Sequence, residues 1–125
     1  MPPVTISEAE SVVMRALWAA GEATAEDLIA SVAGPQGWAE PTVRTLINRL
    51  LNKGAISAER EGRRYRYRPE LAQADWRAEE CTSLIDRLYD GRVAPLVAHF
   101  SEQGKLTAAD IAELKRLIGE IEDGD

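Results

Sequence analysis

The spacing of hydrophobic residues changes at Gly54, and this change constrains the fold more than any other feature. Before it, three segments carry apolar residues at the three- to four-residue spacing of a helix. After it, Ile56 and Ala58 alternate with polar residues, and a second alternating stretch follows Gly62 and ends at Pro69. The chain therefore predicts three helices followed by a β-hairpin.

Start and stop signals delimit the three predicted helices. Ser7 with Glu10 and Thr24 with Asp27 are capping-box pairs, which satisfy free backbone amides at the start of a helix. Glycine supplies the stop signals, because it adopts left-handed backbone conformations at little cost. The predicted ends are Gly21 for the first helix, the run 34–37 for the second and Gly54 for the third, which covers 41–53.

Three helices and a hairpin within about 65 residues are typical of a winged helix-turn-helix. Further helices are predicted over 71–89, over 93–100 and after Thr107. We therefore expect a mainly α protein with a winged-helix DNA-binding domain over 1–69 and a helical dimerisation domain over 70–125.

Apolar residues of the last predicted helix form one narrow stripe at Ile111, Leu114, Ile118 and Ile121. The three C-terminal helices could pack back on the first domain or on the same helices of a second copy of the chain. A helix-turn-helix protein that forms a two-fold symmetric dimer can bind both halves of a palindromic DNA site, so we favour a homodimer. The predicted dimerisation residues are Leu84, Leu88, Leu96, Val97, Phe100, Ile111, Leu114, Ile118 and Ile121.

Charge is distributed unevenly along the chain. Residues 1–39, 40–68 and 69–125 carry net charges of −4, +5 and −7 within a total of −6. A basic segment in an otherwise acidic chain indicates a local surface for an anionic partner.

The third helix and the hairpin supply residue types that bind DNA. Arginine pairs with guanine edges, asparagine with adenine, and threonine suits the thymine methyl group, whereas wing arginines typically contact phosphates. The alternative is a solvated helix face and a charged edge strand. The predicted base-reading residues are Thr42, Arg44, Thr45, Asn48 and Arg49, and the predicted phosphate contacts are Lys53, Arg60, Arg63, Arg64 and Arg66.

Tyr65 and Tyr67 share one face of the predicted second strand of the hairpin. Aromatic pairs of this kind stack on bases in single-strand binders but more often cover a core. We expect both to pack on the core.

Nothing in the sequence indicates an enzyme. The chain has one cysteine and one histidine, no phosphate-binding glycine loop and no recognisable nucleophile motif, so we expect no cofactor and no metal site. Its start, MPPVTISEAE, lacks the pattern of a secretory signal, and no apolar run is long enough to insert into a membrane. We expect a cytoplasmic protein.

The sequence resembles the penicillinase repressors of the BlaI/MecI type from Ile6 to about Ile121. The stretch Thr42-Val43-Arg44-Thr45-Leu46-Ile47-Asn48-Arg49-Leu50 is similar to the family's reading helix. Leu88-Tyr89-Asp90-Gly91 and Leu96-Val97-Ala98-His99-Phe100 are similar to its dimer arm. The resemblance implies a winged-helix homodimer on a dyad operator of double-stranded DNA, released when a membrane-bound sensor metalloprotease triggers cleavage of the repressor.

The resemblance also implies a site of proteolytic cleavage. The chain differs from the family at several positions. The implied cleavage site is His99-Phe100, with histidine where well-known members have asparagine. Ala39 stands where the family tends to place a capping serine, and Glu40 offers a carboxylate at that helix terminus. The C-terminal cysteine cluster of copper-responsive relatives is absent.

Two other functions fit the same residues. A winged-helix regulator can be released from DNA by a small molecule bound between reader and arm, and a ligand that stabilises the protein would favour this function. A protein-interaction module could use the basic hairpin to bind an acidic partner, and it would show no steep salt dependence on duplex DNA.

Overall fold

A computed structural model describes residues 4–124, so the outermost ends of the predicted domains 1–69 and 70–125 lie outside the described residues. The chain divides into two compact units, Met1–Arg77 and Ala78–Asp125.

Three helices form in the first unit: α1 over Glu8–Ala20, α2 over Ala25–Gln36 and α3 over Glu40–Lys53. Both predicted capping boxes are present at the starts of α1 and α2, each with its two reciprocal hydrogen bonds. The sequence predicts that residues 34–37 break α2, but residues 34–36 belong to the helix, so the prediction is wrong for these three residues. Gly37, rather than Gly34, adopts the left-handed conformation that ends the helix, and Pro35 lies in its last turn.

Strands β1 (Ala23–Thr24), β2 (Ile56–Glu61) and β3 (Arg64–Pro69) form an antiparallel sheet in the order β1-β3-β2. The hairpin of β2 and β3 confirms the predicted wing. The sequence did not predict β1, because two residues are too few to show an alternating pattern. Helices and hairpin together confirm the winged-helix fold.

A single hydrophobic core joins the three helices and the sheet. Tyr67 belongs to it and is 9% exposed, but Tyr65 is 49% exposed, so the prediction that both cover the core is wrong for Tyr65. Tyr65 lies two residues nearer the hairpin turn, beyond the stretch of β3 that pairs with β1, whose two residues pair with Tyr67 and Arg66. The fully buried side chains include Val13, Met14, Leu17, Leu28, Val43, Ile47 and Leu50.

Two tryptophans meet in the first unit, which extends beyond the wing. The ring centroids of Trp18 and Trp76 are 5.3 Å apart, and the Trp18 indole Nε1 donates a hydrogen bond to the carbonyl oxygen of Leu71 at 2.8 Å. These contacts tie the segment after the wing to α1.

Three helices follow the wing, as predicted: α4 over Gln73–Tyr89, α5 over Ala94–Glu102 and α6 over Ala108–Gly124. Thr107 and Asp110 exchange the two hydrogen bonds of a capping box at the start of α6. Among the described residues of these three helices, none is buried.

Candidate nucleic-acid interface

Helix α3 has one buried face and one exposed face. Val43, Ile47 and Leu50 are fully buried, and Leu46 is nearly so. Because these residues recur at helical spacing, the residues between them are directed away from the core. All five residues predicted to read bases are exposed: Thr42, Arg44, Thr45, Asn48 and Arg49.

Arg44 is held by two carboxylates on this exposed face. Its Nε and Nη2 atoms donate hydrogen bonds to Glu40 Oε1 at 3.2 and 2.9 Å, and Nη2 lies 3.8 Å from Glu26 Oε1 on α2. The hydrogen bonds with Glu40 raise the pKa of Arg44 above its ordinary value. The guanidinium is therefore ion-paired on one edge before any DNA is bound.

The N-terminus of α3 lacks a side-chain cap. Ala39 is the N-cap residue and makes no side-chain hydrogen bond to the helix. Glu40 does bring a carboxylate to the first turn, where it favours the helix dipole. Its hydrogen bonds, however, go to Arg44 and not to the backbone amides.

Lys53, predicted to contact phosphate, is engaged within the protein. Its Nζ atom lies 2.6 Å from Glu10 Oε1 and 3.0 Å from the carbonyl oxygen of Thr5. Glu10 is 2% exposed. Burial raises the pKa of Glu10, but hydrogen bonds from Lys53 and from the Ser7 backbone outweigh that effect, so its pKa lies below the ordinary value. This pairing favours a structural role for Lys53.

The wing carries an ion-paired network on one face. Arg66 Nε lies 2.7 Å from Glu61 Oε2, and Arg68 Nε lies 2.9 Å from Glu22 Oε2. Glu22 is also 3.8 Å from Arg66, and Glu59 is 3.5 Å from Arg68. The hydrogen bond from Arg66 lowers the pKa of Glu61. Much of the positive charge of this face is therefore balanced locally.

The other three predicted phosphate contacts lie near the hairpin turn. Arg60 Nε donates a hydrogen bond to the carbonyl oxygen of Gly62 at 3.1 Å, which braces the turn. Arg63 is in the turn, and Arg64 pairs in register with Glu61. Within residues 4–124, no ion pair engages Arg63 or Arg64. These two arginines are the wing cations most available to an anion.

Sequence reasoning missed the acidic side chains that surround the predicted DNA contacts. Glu22 and Glu26 are close to arginines more than 15 residues away, and no local pattern reveals such pairs. Glu59 and Glu61 could have been found, because the register of the predicted hairpin places them opposite Arg66 and Arg64.

The second unit exposes the apolar side chains predicted to form the dimer. Leu88 is 59% exposed, Ile118 55% and Ile121 68%. The other predicted dimerisation residues are half-buried or exposed: Leu84, Leu96, Val97, Phe100, Ile111 and Leu114. Exposed apolar surfaces of this kind often mark sites of interaction.

The peptide bond implied as the cleavage site lies inside α5. His99 and Phe100 are both exposed, and their rings meet edge to face with centroids 5.4 Å apart. The backbone there is helical, with Ala94–Glu102 as the helix limits. A protease that binds extended substrates must therefore open α5 before it can cut.

The described part of the chain contains no group of three or more histidine, cysteine, aspartate or glutamate side chains placed to hold a metal ion. Across residues 4–124, no helix has the length and hydrophobicity needed to cross a membrane.

Comparison with known proteins identifies related repressors. Residues 6–120 match the family model described as penicillinase repressor. The chain is 30% identical over 115 residues to the penicillinase repressor of Bacillus licheniformis, covering 92% of this chain and 90% of that protein. It is 30% identical over 113 residues to the methicillin resistance regulatory protein MecI of Staphylococcus aureus strain N315, covering 90% and 92%.

A solved structure supports the same relationship. The monomeric form of Bacillus licheniformis BlaI in complex with the blaP half-operator superimposes with a TM-score of 0.53 and is 30% identical. The match covers 60% of this chain and 93% of that one.

Proposed function

The chain belongs to the penicillinase repressor family of DNA-binding transcriptional repressors, which are not enzymes, and we propose that it acts as a homodimer on a dyad operator. In this proposal, residues 1–69 read the DNA and residues 70–125 form the dimer. Helix α3 enters the major groove and the wing contacts the backbone of the duplex. A repressor has to reach its operator, so we place it in the cytoplasm.

The exposed face of α3 is the observation that carries the proposal. Its five polar and basic side chains are presented to solvent by four buried apolar residues that fix the helix on the core. A helix anchored in this way can enter a groove as a rigid body, and threonine, asparagine and arginine are the side chains that read base edges there.

The wing supplies the phosphate contacts in this proposal. Arg63 and Arg64 are the cations nearest the hairpin turn without an ion pair to another described residue, so they can engage phosphate without giving up a carboxylate partner. Arg60 and Arg66 contribute after rearrangement, and Lys53 contributes mainly to the stability of the reader. Such contacts fix the position of the protein but carry no sequence information.

The second copy of the chain covers the apolar surface of α4, α5 and α6. The exposed residues of this surface recur along α6 at Ile111, Ile118 and Ile121, at the spacing of a helix–helix interface. A two-fold partner doubles the number of phosphate contacts made in one binding event. Dimerisation and operator affinity are therefore coupled.

Release follows from cleavage at His99-Phe100 in this proposal. A cut there separates α6 from the rest of the chain and removes its three isoleucines from the dimer surface. The dimer then dissociates, and each reader is left with half of the contacts. The membrane-bound sensor metalloprotease implied for such repressors would trigger the cut, which requires α5 to open.

The test compares binding to the DNA upstream of the chain's own gene with binding to a shuffled duplex, from low to physiological salt. We expect salt-sensitive binding that prefers the native duplex by about 10³-fold or more. Equal, weak binding to both duplexes would contradict an operator at that locus.

A second test concerns the release step. We expect mass spectrometry of the chain recovered from cells in which the operator has been released to show a fragment that ends at His99. Release of the operator by an intact chain, with a rise in Tm on addition of a small molecule, would instead support the ligand-released regulator. Membership of a DNA-binding family already decides against the protein-interaction module.

A further inference from the structure

The guanidinium group of Arg44 has one edge that is occupied within the protein and one edge that is open. The open edge determines which contacts Arg44 can make with DNA. Its Nε and Nη2 atoms both donate to Glu40 Oε1. Among residues 4–124, no hydrogen bond or ion pair engages Nη1, and the one other charged group near Nη2 is Glu26 Oε1 at 3.8 Å, beyond hydrogen-bond distance. The open edge, formed by Nη1 and the remaining hydrogen of Nη2, can still donate two parallel hydrogen bonds.

We propose that Glu40 is a positioning residue that sets the sequence specificity of this repressor by holding Arg44 with its open edge toward the DNA. The inference rests on the proposed DNA-binding role of α3 and adds a residue to it. A long arginine side chain loses rotamer entropy when it binds a base, and a carboxylate that fixes it in advance removes part of that cost. The open edge matches the O6 and N7 acceptors of guanine.

The position of Glu40 fits this role better than it fits a helix cap. It lies in the first turn of α3, four residues before Arg44, and its carboxylate makes no capping hydrogen bond. Both side chains are about half exposed, so the pair adds little to stability. Its negative charge also repels phosphates at the same surface, which disfavours binding to DNA of arbitrary sequence.

Glu26 provides a natural control. Its carboxylate is 3.8 Å from Arg44 Nη2, so it contributes charge, but no hydrogen bond joins the two side chains. Ala39 provides a second control, because its extended backbone conformation suits a capping serine. Ala39→Ser should therefore restore any helix stability lost when Glu40 is replaced.

The experiment selects duplexes from a randomised 40-base-pair library with the full-length chain and its variants, and then measures binding of the enriched and the unselected DNA. Glu40→Ala, Glu26→Gln, Arg44→Ala and the double variant Ala39→Ser with Glu40→Ala are compared with the unchanged chain. Circular dichroism and thermal unfolding show that each variant is folded.

We expect Arg44→Ala to lose the preference at one base pair of each half-site, by about 5- to 150-fold, the value of one bidentate contact. Glu40→Ala should weaken the preference at that same base pair by about threefold or more. It should also bind unselected DNA about 1.4- to 5-fold more tightly, the effect of one exposed charge. The Ala39→Ser double variant should behave as Glu40→Ala does, and Glu26→Gln should tighten unselected binding while keeping the preference.

Three results would overturn the inference: an unchanged preference in Glu40→Ala, a uniform loss of affinity on all sequences, or recovery of specificity by Ala39→Ser. The last two would show that Glu40 acts only through helix stability. If the unchanged chain enriches no sequence, specific operator binding itself fails, and this outcome is distinct from a chain that selects a site without help from Glu40.

Discussion

The ammonium group of Lys53 lies 2.6 Å from the carboxylate of Glu10 and joins the end of α3 to the start of α1. Glu10 also accepts a hydrogen bond from the Ser7 backbone amide at 2.8 Å, so one carboxylate oxygen serves the capping box and the ion pair. The pair therefore fixes the reading helix against the first helix of the core.

Replacement of Lys53 should affect stability more than DNA binding. Lys53→Ala leaves the buried carboxylate of Glu10 without its cation, and we expect the free energy of unfolding to fall by about 1–3 kcal/mol in urea titrations. Asn52→Ala, at the neighbouring exposed position, should have little effect. An unchanged stability, with a salt dependence of DNA binding reduced by about one phosphate contact, would show instead that Lys53 binds DNA.

The same ion pair predicts an acid-sensitive fold. The folded-state pKa of Glu10 lies below its ordinary value, which for glutamate is about 4.3. The pair is therefore fully stabilising above that pH, and its contribution is lost as the pH falls through the lower folded-state value. We expect the free energy of unfolding to decrease on acidification below about pH 4.3, and less steeply in Glu10→Gln. Equal slopes for the two proteins would disprove the assignment.

Arg49 should discriminate between DNA sequences, whereas Arg63 should not. Arg49→Ala is expected to cost about 1–3 kcal/mol on the operator and less on a shuffled duplex, because a base contact is lost. Arg63→Ala should weaken binding to both duplexes alike, since phosphate contacts are independent of sequence. Equal losses on the two duplexes for Arg49→Ala would assign it to the phosphates.

The carboxylates of the ion-paired network on the wing should weaken binding to DNA of any sequence. Glu22→Gln removes a carboxylate that lies near both Arg66 and Arg68. We expect it to tighten binding to a shuffled duplex by about 1.4- to 5-fold at low salt and to steepen the salt dependence. Glu8→Gln changes the net charge equally but lies on α1. An identical effect of both substitutions would indicate a general charge effect.

The exposed isoleucines of α6 should hold the dimer together. Ile118→Gln introduces an amide on the apolar stripe, whereas Glu120→Gln introduces the same side chain on the opposite, ion-paired face. Loss of an isoleucine that the second copy covers should raise the dimer dissociation constant by about tenfold or more, as measured by sedimentation equilibrium. If Glu120→Gln has the same effect, α6 does not present this stripe to its partner.

Much of the winged-helix unit could be predicted because its signals are local. Capping boxes at Ser7 and Thr24 and the left-handed glycine at Gly54 act within a few residues, and the structure confirms them. The end of α2 was harder, since a proline in the last turn removes a hydrogen bond without ending the helix. Tyr65 and Tyr67 have the same alternation in sequence but differ in exposure, and a periodic pattern does not reveal how far along the hairpin the core extends.

The sequence predicts which side chains belong to the candidate interface, but it does not predict which other side chains they pair with. The buried stripe of α3 identifies its exposed side chains directly, whereas the pairing of Lys53 with Glu10 joins residues 43 positions apart. Arg44 and Glu26 meet only because α2 packs beside α3. Contacts of this kind depend on the packing of whole elements, so composition and spacing cannot supply them.

The number of chains bound to one operator duplex tests the central proposal most directly. Sedimentation of the full-length chain with a duplex obtained from the randomised library should give two chains per duplex, bound cooperatively to half-sites about one helical turn (roughly 34 Å) or a multiple of it apart. The chain should also bind this duplex about 10³-fold or more tightly than a shuffled duplex. A single chain bound independently to each half-site, or equal binding to the shuffled duplex, would contradict a dimeric repressor that reads DNA through α3.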